Sequence, residues 1–227
     1  MKFSKIISLA IFSSAVATSQ LQASSIENSI IQVDEIVDGQ SVGEYVNTWW
    51  QWAFSMPQDI SPIKDYTGQH CGVGQQGDVW FLAGGFGTST INRRCEVPAG
   101  KHLFFPVINM VYFPRHEGSQ YTCEQAKASA ALNNDKLLDI YVELNGEPAW
   151  NPASTRMASS DCFDLLGKVS QDHNPPKIYP AATDGYWLML KPLESGTHTL
   201  KFQAGYDREG GAFGRMAQDI EYELIVR

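Results

Sequence analysis

The side chains in this sequence that could do chemistry are spaced against most of the familiar chemistries. Five histidines, His70, His102, His116, His173 and His198, never stand as H-x-H or H-x-x-x-H, so no single strand or helix offers two of them to one metal ion. His70, beside Cys71, and His116, in "RHE", lie in polar loops and are retained as candidate ligand-binding residues. In "GYDREGGAFG", Gly205 and Gly210 have P-loop spacing, but Gly211 stands where the phosphate-binding lysine is needed. "DYTG", from Asp65 to Gly68, interrupts the D-[ST]-G of aspartic proteases with Tyr66, and no second copy supplies the carboxylate that would share its proton. It reads instead as a turn in which Asp65 bonds the backbone and Gly68 supplies positive φ. There is no G-x-S-x-G elbow. No catalytic residue, metal ligand or cofactor is assigned. A polysaccharide-acting hydrolase could draw its two carboxylates from Asp78, Glu117 and Asp184, and their separation in space would decide that alternative.

Two further residue sets bear on binding. Six tryptophans occur, and flat rings exposed at a surface can stack on sugars, although buried tryptophan is the commoner use. Trp50, Trp52 and Trp150 are the candidates for such a platform, because Trp50 and Trp52 fall off the main apolar face of their helix. Arg93 and Arg94, beside Cys95, are the candidate anchor for an acidic ligand group, or else bond carbonyls and carboxylates at the surface.

The compartment follows from the first residues. Lys2 and Lys5 precede an apolar stretch from Ile6 to about Val16 and a polar region ending at Ala23. This is the layout of a secretory signal peptide over residues 1–23, too short in its apolar part to span a bilayer. Residues 24–227 then form a single mature β-rich domain with helical N-terminal decoration, periplasmic or secreted. In an exported chain, an even count of four cysteines, Cys71, Cys95, Cys123 and Cys162, reads as two disulfides. Three connectivities are open; sequential pairing, Cys71–Cys95 and Cys123–Cys162, closes the shortest loops and is the expected one. The formal charge of −8 and the absence of a basic block exclude a nucleic-acid partner, and no later segment is long enough for a membrane span.

These residues need elements to position them. "SVGEYVNTWWQWAFSMP" reads as a helix, opened by a Ser41–Glu44 capping box and stopped before Pro57, with Val42, Tyr45, Val46, Trp49 and Ala53 on one face. The lead before it is an edge strand or a loose arm. "VWFLA" is a short buried strand, and Gly84, Gly85 and Gly87 turn the chain after it. "HLFFPVINMVYF" is a strand whose Pro106 marks an edge or a bulge. "TCEQAKASAALNN" is a short helix with Thr122 as N-cap. Ile140, Val142 and Leu144 alternate before Asn145-Gly146, a tight hairpin turn. Gly185–Lys191 and Thr197–Ala204 are expected to pair as a hairpin, with Leu200, Phe202 and Ala204 inward. The terminal strand Asp219–Arg227 turns Ile220, Tyr222, Leu224 and Val226 to the core.

A resemblance adds to this reading. "GYWLMLKPLESGTHTLKF", followed by an alternating terminal strand, is similar to the closing strands of immunoglobulin-like sandwich domains in exported bacterial proteins. "VELNGEPA" is similar to their short hairpins. With "WWQWAFSMP", "CGVGQQGDVWFLAGG" and "CEVPAGKHLFFPVIN", the chain resembles a group of uncharacterised exported bacterial proteins with an immunoglobulin-like β-sandwich in the C-terminal region. The resemblance implies fold and export and brings no catalytic residues with it.

The expectation is therefore a mainly β protein, an immunoglobulin-like antiparallel β-sandwich with an N-terminal helix and a short second helix. Its expected role is that of an exported non-catalytic binding or interaction module for a glycan or another exported protein. The alternatives are the hydrolase above and a structural envelope component.

Overall fold

A computed structural model of the chain describes residues 26–87, 90–114, 120–148, 152–207 and 215–227. The signal-peptide reading falls on residues 1–23, and His116, Glu117 and Trp150 likewise lie outside the described residues. The described chain is mainly β, and its strands form two packed sheets with two helices. In chain order they are β1 (Ile36–Val37), β2 (Gln40–Ser41), α1 (Tyr45–Phe54), β3 (Val79–Phe81), β4 (Thr90–Val97), β5 (His102–Tyr112), α2 (Cys123–Asn134), β6 (Leu137–Leu144), β7 (Glu147–Pro148), β8 (Arg156–Ala158), β9 (Ala182–Leu190), β10 (Gly196–Asp207) and β11 (Arg215–Val226). One sheet runs β4-β11-β10-β6-β7 and the other β3-β5-β9-β8, while β1 and β2 pair as a separate ribbon.

Local signals place several of these elements. The Ser41 amide and hydroxyl both donate to Glu44 Oε2, at 2.9 and 2.7 Å, closing the capping box on the 3₁₀ turn that leads into α1. Thr122 caps α2 by accepting from the Gln125 amide at 3.2 Å, and Gln125 reciprocates. Asn145 and Gly146 both take positive φ, 54° and 83°, in the turn between β6 and β7. The lead is neither a loose arm nor a full edge strand. It is a 3₁₀ turn over Ile26–Ser29 and a single bridge from Ile30 to Leu190, with Ile26 and Ile31 buried.

The β3-β5-β9-β8 sheet lies between α1 and the other sheet, covered on both faces. Leu103, Phe105, Tyr186, Leu188 and Leu190 pack between the two sheets. Phe104, Trp187 and Met189, their alternates, pack under α1 with Trp49, Trp50 and Trp52. A strand covered on both faces has no polar side to show, so β9 is buried at every position. β10 has one covered face only: Leu200, Phe202, Ala204 and Tyr206 are buried, and Lys201 and Gln203 are not.

One strand expectation is corrected. β9 and β10 do not form a hairpin: β9 pairs with β5 and β8, while β10 pairs with β11 and β6, so residues 191–195 carry the chain from one sheet to the other. Of the edge or bulge expected at Pro106, the bulge is found: Pro106 sits where the β5–β9 register shifts, and β3 pairs with β5 only over His102–Phe104, before it. The disulfides are Cys71–Cys95 and Cys123–Cys162, and among the described residues no cysteine is free. No helix among them is long and apolar enough to cross a membrane.

Candidate functional site

The site arises because β3 stops short. It pairs with β5 only over His102–Phe104, with Leu82 N–H adding one more bond to Phe104 O at 3.0 Å. The chain then leaves for the other sheet. The Ala83 amide donates to Tyr222 Oη at 3.0 Å, and Gly85 exchanges two bonds with the Gln218 amide, at 2.9 and 2.6 Å. Beyond Phe104, the outer edge of β5 has no paired strand among the described residues. The gap is a cavity of about 330 Å³, the size of a small-molecule pocket.

Its walls come from four parts of the chain. Trp49, Trp50 and Phe54 of α1 and Ile63 form one side. Gly84 to Gly87, with the half-exposed Phe86, form the rim where the chain changes sheets. Asn109 to Phe113 supply the β5 wall, and Tyr206, Arg215, Met216 and Gln218 close it from β10 and β11. The glycines matter for space: a Cβ on Gly84 would meet the Gln218 amide at 3.3 Å. Behind the β5 wall, a Cβ on Gly185 of β9 would lie 2.5 Å from that of its cross-strand partner Asn109, which only glycine avoids.

The lining is apolar with few polar atoms, and most of those are occupied. Trp49 Nε1 donates to Leu82 O at 3.0 Å, and Trp50 Nε1 to Thr183 Oγ1 at 2.8 Å. Tyr206 Oη donates to Met216 Sδ at 3.2 Å, and burial pushes that phenol above its ordinary range. Asn109 is the exception: it is 9% exposed, and its buried Nδ2 has no partner. An unpaired donor in such a place costs about 1–3 kcal/mol unless a ligand or water meets it.

The residues singled out from the sequence do not gather here as a set. Trp50 does line the cavity, but at 5% exposed it is wall and not platform; Trp52, at 2%, is held by Nε1 to Val73 O at 3.0 Å. Neither presents a free face to a sugar at the surface. Arg93 is not at the surface either. It is 3% exposed, and its guanidinium donates to the carbonyls of Asp65, Ala83 and Gly84 and to Tyr222 Oη at 2.6–2.9 Å, which uses four of its five N–H donors inside the fold. Arg94 is exposed beside Glu223, at 3.9 Å. The His70 backbone N–H donates to Asp65 Oδ2 at 2.7 Å. Tyr206, Met216, Gln218 and Asn109 carry no motif; Asn109, a polar residue in an otherwise apolar strand run, is the one local signal that could have marked the site.

For its two described carboxylates, Asp78 and Asp184, the hydrolase alternative meets a geometric obstacle. Asp78 precedes Val79, which pairs with His102, whereas Asp184 pairs with Met110 at the other end of β5. Eight residues of strand separate those positions, roughly 25 Å, against the roughly 5–10 Å that glycoside hydrolysis requires. Asp184 is also committed, bound by Arg156 Nε at 2.9 Å; burial raises its pKa, and that arginine opposes the shift.

Comparison with family models, curated proteins and solved structures finds no match to this chain.

Proposed function

We propose that the protein is an exported, non-catalytic binding module of immunoglobulin-like architecture that holds a small, mainly apolar molecule in the cavity beside β5. The observation that carries the reading is the cavity itself: about 330 Å³ walled by aromatic side chains, with one buried amide donor unpaired. Export is supported by the charged-then-apolar leader and by two disulfides, bonds that persist in oxidising compartments. The immunoglobulin-like assignment is supported by strand order. Lettered along the chain as A, A′, B, C, C′, D, E, F and G, strands β3 to β11 fall into an A-B-E-D sheet and an A′-G-F-C-C′ sheet. The departure from that pattern is that β3 runs parallel to β5.

The test is titration with N-phenyl-1-naphthylamine, an uncharged fluorophore that brightens in apolar surroundings. The expected result is saturable binding of one probe per protein, abolished in both Val111→Trp and Met216→Trp, each of which adds bulk to the wall. Unchanged thermal melts would show that both variants fold. Absence of saturable binding, or equal binding in both folded variants, would overturn the reading.

A further inference from the structure

Building on that reading, we propose that the molecule in the β5 cavity is an acid: a single carboxylate on a slender apolar body, selected by Arg215. The argument is an inventory of the polar atoms in the wall. The two indole N–H groups, the Tyr206 hydroxyl and both ends of the Gln218 amide already have partners. What remains is a charge. Arg215 is an exposed cation at the cavity's edge with no carboxylate within ion-pair distance among the described residues. A guanidinium carries donors only, so a polar group held by it must accept.

Charge narrows the class. Among the described residues no aspartate or glutamate lines the cavity and Arg215 is the one charged wall residue, in a chain whose formal charge is −8. The acidic surface disfavours loose association of anions elsewhere, so an anion that binds has this place to prefer. A guanidinium fork matches a carboxylate with two parallel bonds. A cavity of about 330 Å³ suits a slender chain with its head at the rim and its tail among Trp50, Phe54 and Met110.

The experiment displaces N-phenyl-1-naphthylamine with decanoate and with decan-1-ol, which share a chain and differ in the head. Decanoate should displace the probe at about tenfold lower concentration than the alcohol, the scale of one charge-assisted pair. R215Q, a substitution at an exposed position, should reduce that advantage to below about threefold and leave decan-1-ol unchanged. Lowering the pH through the carboxylic acid's own titration should remove the advantage in the unsubstituted protein. If the probe and both chains fail to bind, the cavity reading itself falls and this inference with it. If the probe and the alcohol bind but decanoate binds no better, the acid assignment is overturned and the cavity reading stands. If the decanoate advantage survives in R215Q, the assignment to Arg215 is overturned.

Discussion

The Arg93 guanidinium carbon lies 5.4 Å from the centre of the Tyr222 ring, and its Nη1 donates to the Tyr222 hydroxyl at 2.9 Å. The same hydroxyl donates to Ala83 O at 2.8 Å, so one buried pair from β4 and β11 pins the segment that crosses between sheets. Burial pushes the Tyr222 phenol up, and the nearby Arg93 charge pulls it back only in part, so the hydroxyl stays protonated and able to donate. Arg93→Met is expected to cost more than about 3 kcal/mol, because the buried carbonyls of Asp65 and Gly84 lose their donor together and Ala83 O is left with the Tyr222 hydroxyl. Tyr222→Phe, which keeps the ring under the guanidinium, should cost about 1–2 kcal/mol. Urea denaturation of both variants measures the difference. Equal losses would mean that the hydroxyl and not the cation holds the crossing.

A second pair of variants tests the register of β10. Phe202 is fully buried between Val142 and Ile220, whereas Lys201 faces out, with Nζ 3.2 Å from Glu221 across the ladder. Phe202→Asp should prevent folding, since an unpaired buried charge costs several kcal/mol. Lys201→Asp sets two acids opposite one another at the surface and should cost no more than about 1 kcal/mol. Denaturation midpoints in which Lys201→Asp is the more damaging would invert the assigned faces.

Features that depend on a few neighbouring residues were legible in the sequence. The Ser41–Glu44 box, the Thr122 cap, the Asn145-Gly146 turn and the alternation in β10 and β11 are each specified within a handful of positions. The expected hairpin of β9 with β10 failed because pairing is a tertiary choice. The signal was present: "GYWLML" is apolar throughout and "TLKFQA" alternates, so one strand needed cover on two faces and the other on one. An immunoglobulin-like order places those consecutive strands in opposite sheets in any case. Arg93 was misjudged because charge argues for the surface until four internal acceptors are found for it. The cavity was invisible because its lining is drawn from separated segments and is defined by where β3 ends.

The pH dependence of stability should carry two opposed contributions. Burial of Asp65 works against its ionised form, but the amides of His70, Thr67 and Gly68 and the Thr67 hydroxyl outweigh it and hold the folded pKa below the ordinary value. A depressed carboxylate stabilises above its unfolded pKa, about 3.9, and that contribution is lost as pH falls through the folded pKa. Asp184 has the opposite sign. Its folded pKa is raised by burial, so folding penalises its charge at neutral pH, and the penalty is relieved as pH falls through that raised value. Asp65→Asn should therefore lose stability at pH 7 and show a shallower decline below about pH 4. Some decline remains, because Asp219, bonded by Thr90 and Gln203, is also depressed. Denaturant midpoints across that range decide it; parallel curves for the two proteins would remove Asp65 from the account.

The last prediction concerns the outer edge of β4. It pairs with β11 on one side only, and a bare edge invites another strand. Here the loop over residues 65–71 covers it. The Arg94 amide donates to Thr67 O at 2.9 Å, and Gly68 lies so close that a Cβ would collide with the Arg94 carbonyl oxygen. Gly68 also has φ of +88°, which an L side chain adopts only under strain. The Cys71–Cys95 disulfide ties the end of that loop to β4 itself. Loop closure predicts similar stability from the two disulfides, about 3.5 kcal/mol for Cys71–Cys95 and about 4 kcal/mol for Cys123–Cys162. Their removal should nonetheless have different consequences. The Cys123→Ser/Cys162→Ser protein should be less stable and remain in its original association state, because that bond ties the start of α2 to residue 162 and guards no edge. Cys71→Ser/Cys95→Ser should lose similar stability and also self-associate as concentration rises, because the β4 edge is then uncovered for part of the time. Gly68→Val, with both disulfides intact, should reproduce the association by displacing the loop. Sedimentation velocity over a tenfold concentration range separates the cases. Identical association behaviour in the two cysteine variants would show that the loop is not what keeps this edge closed.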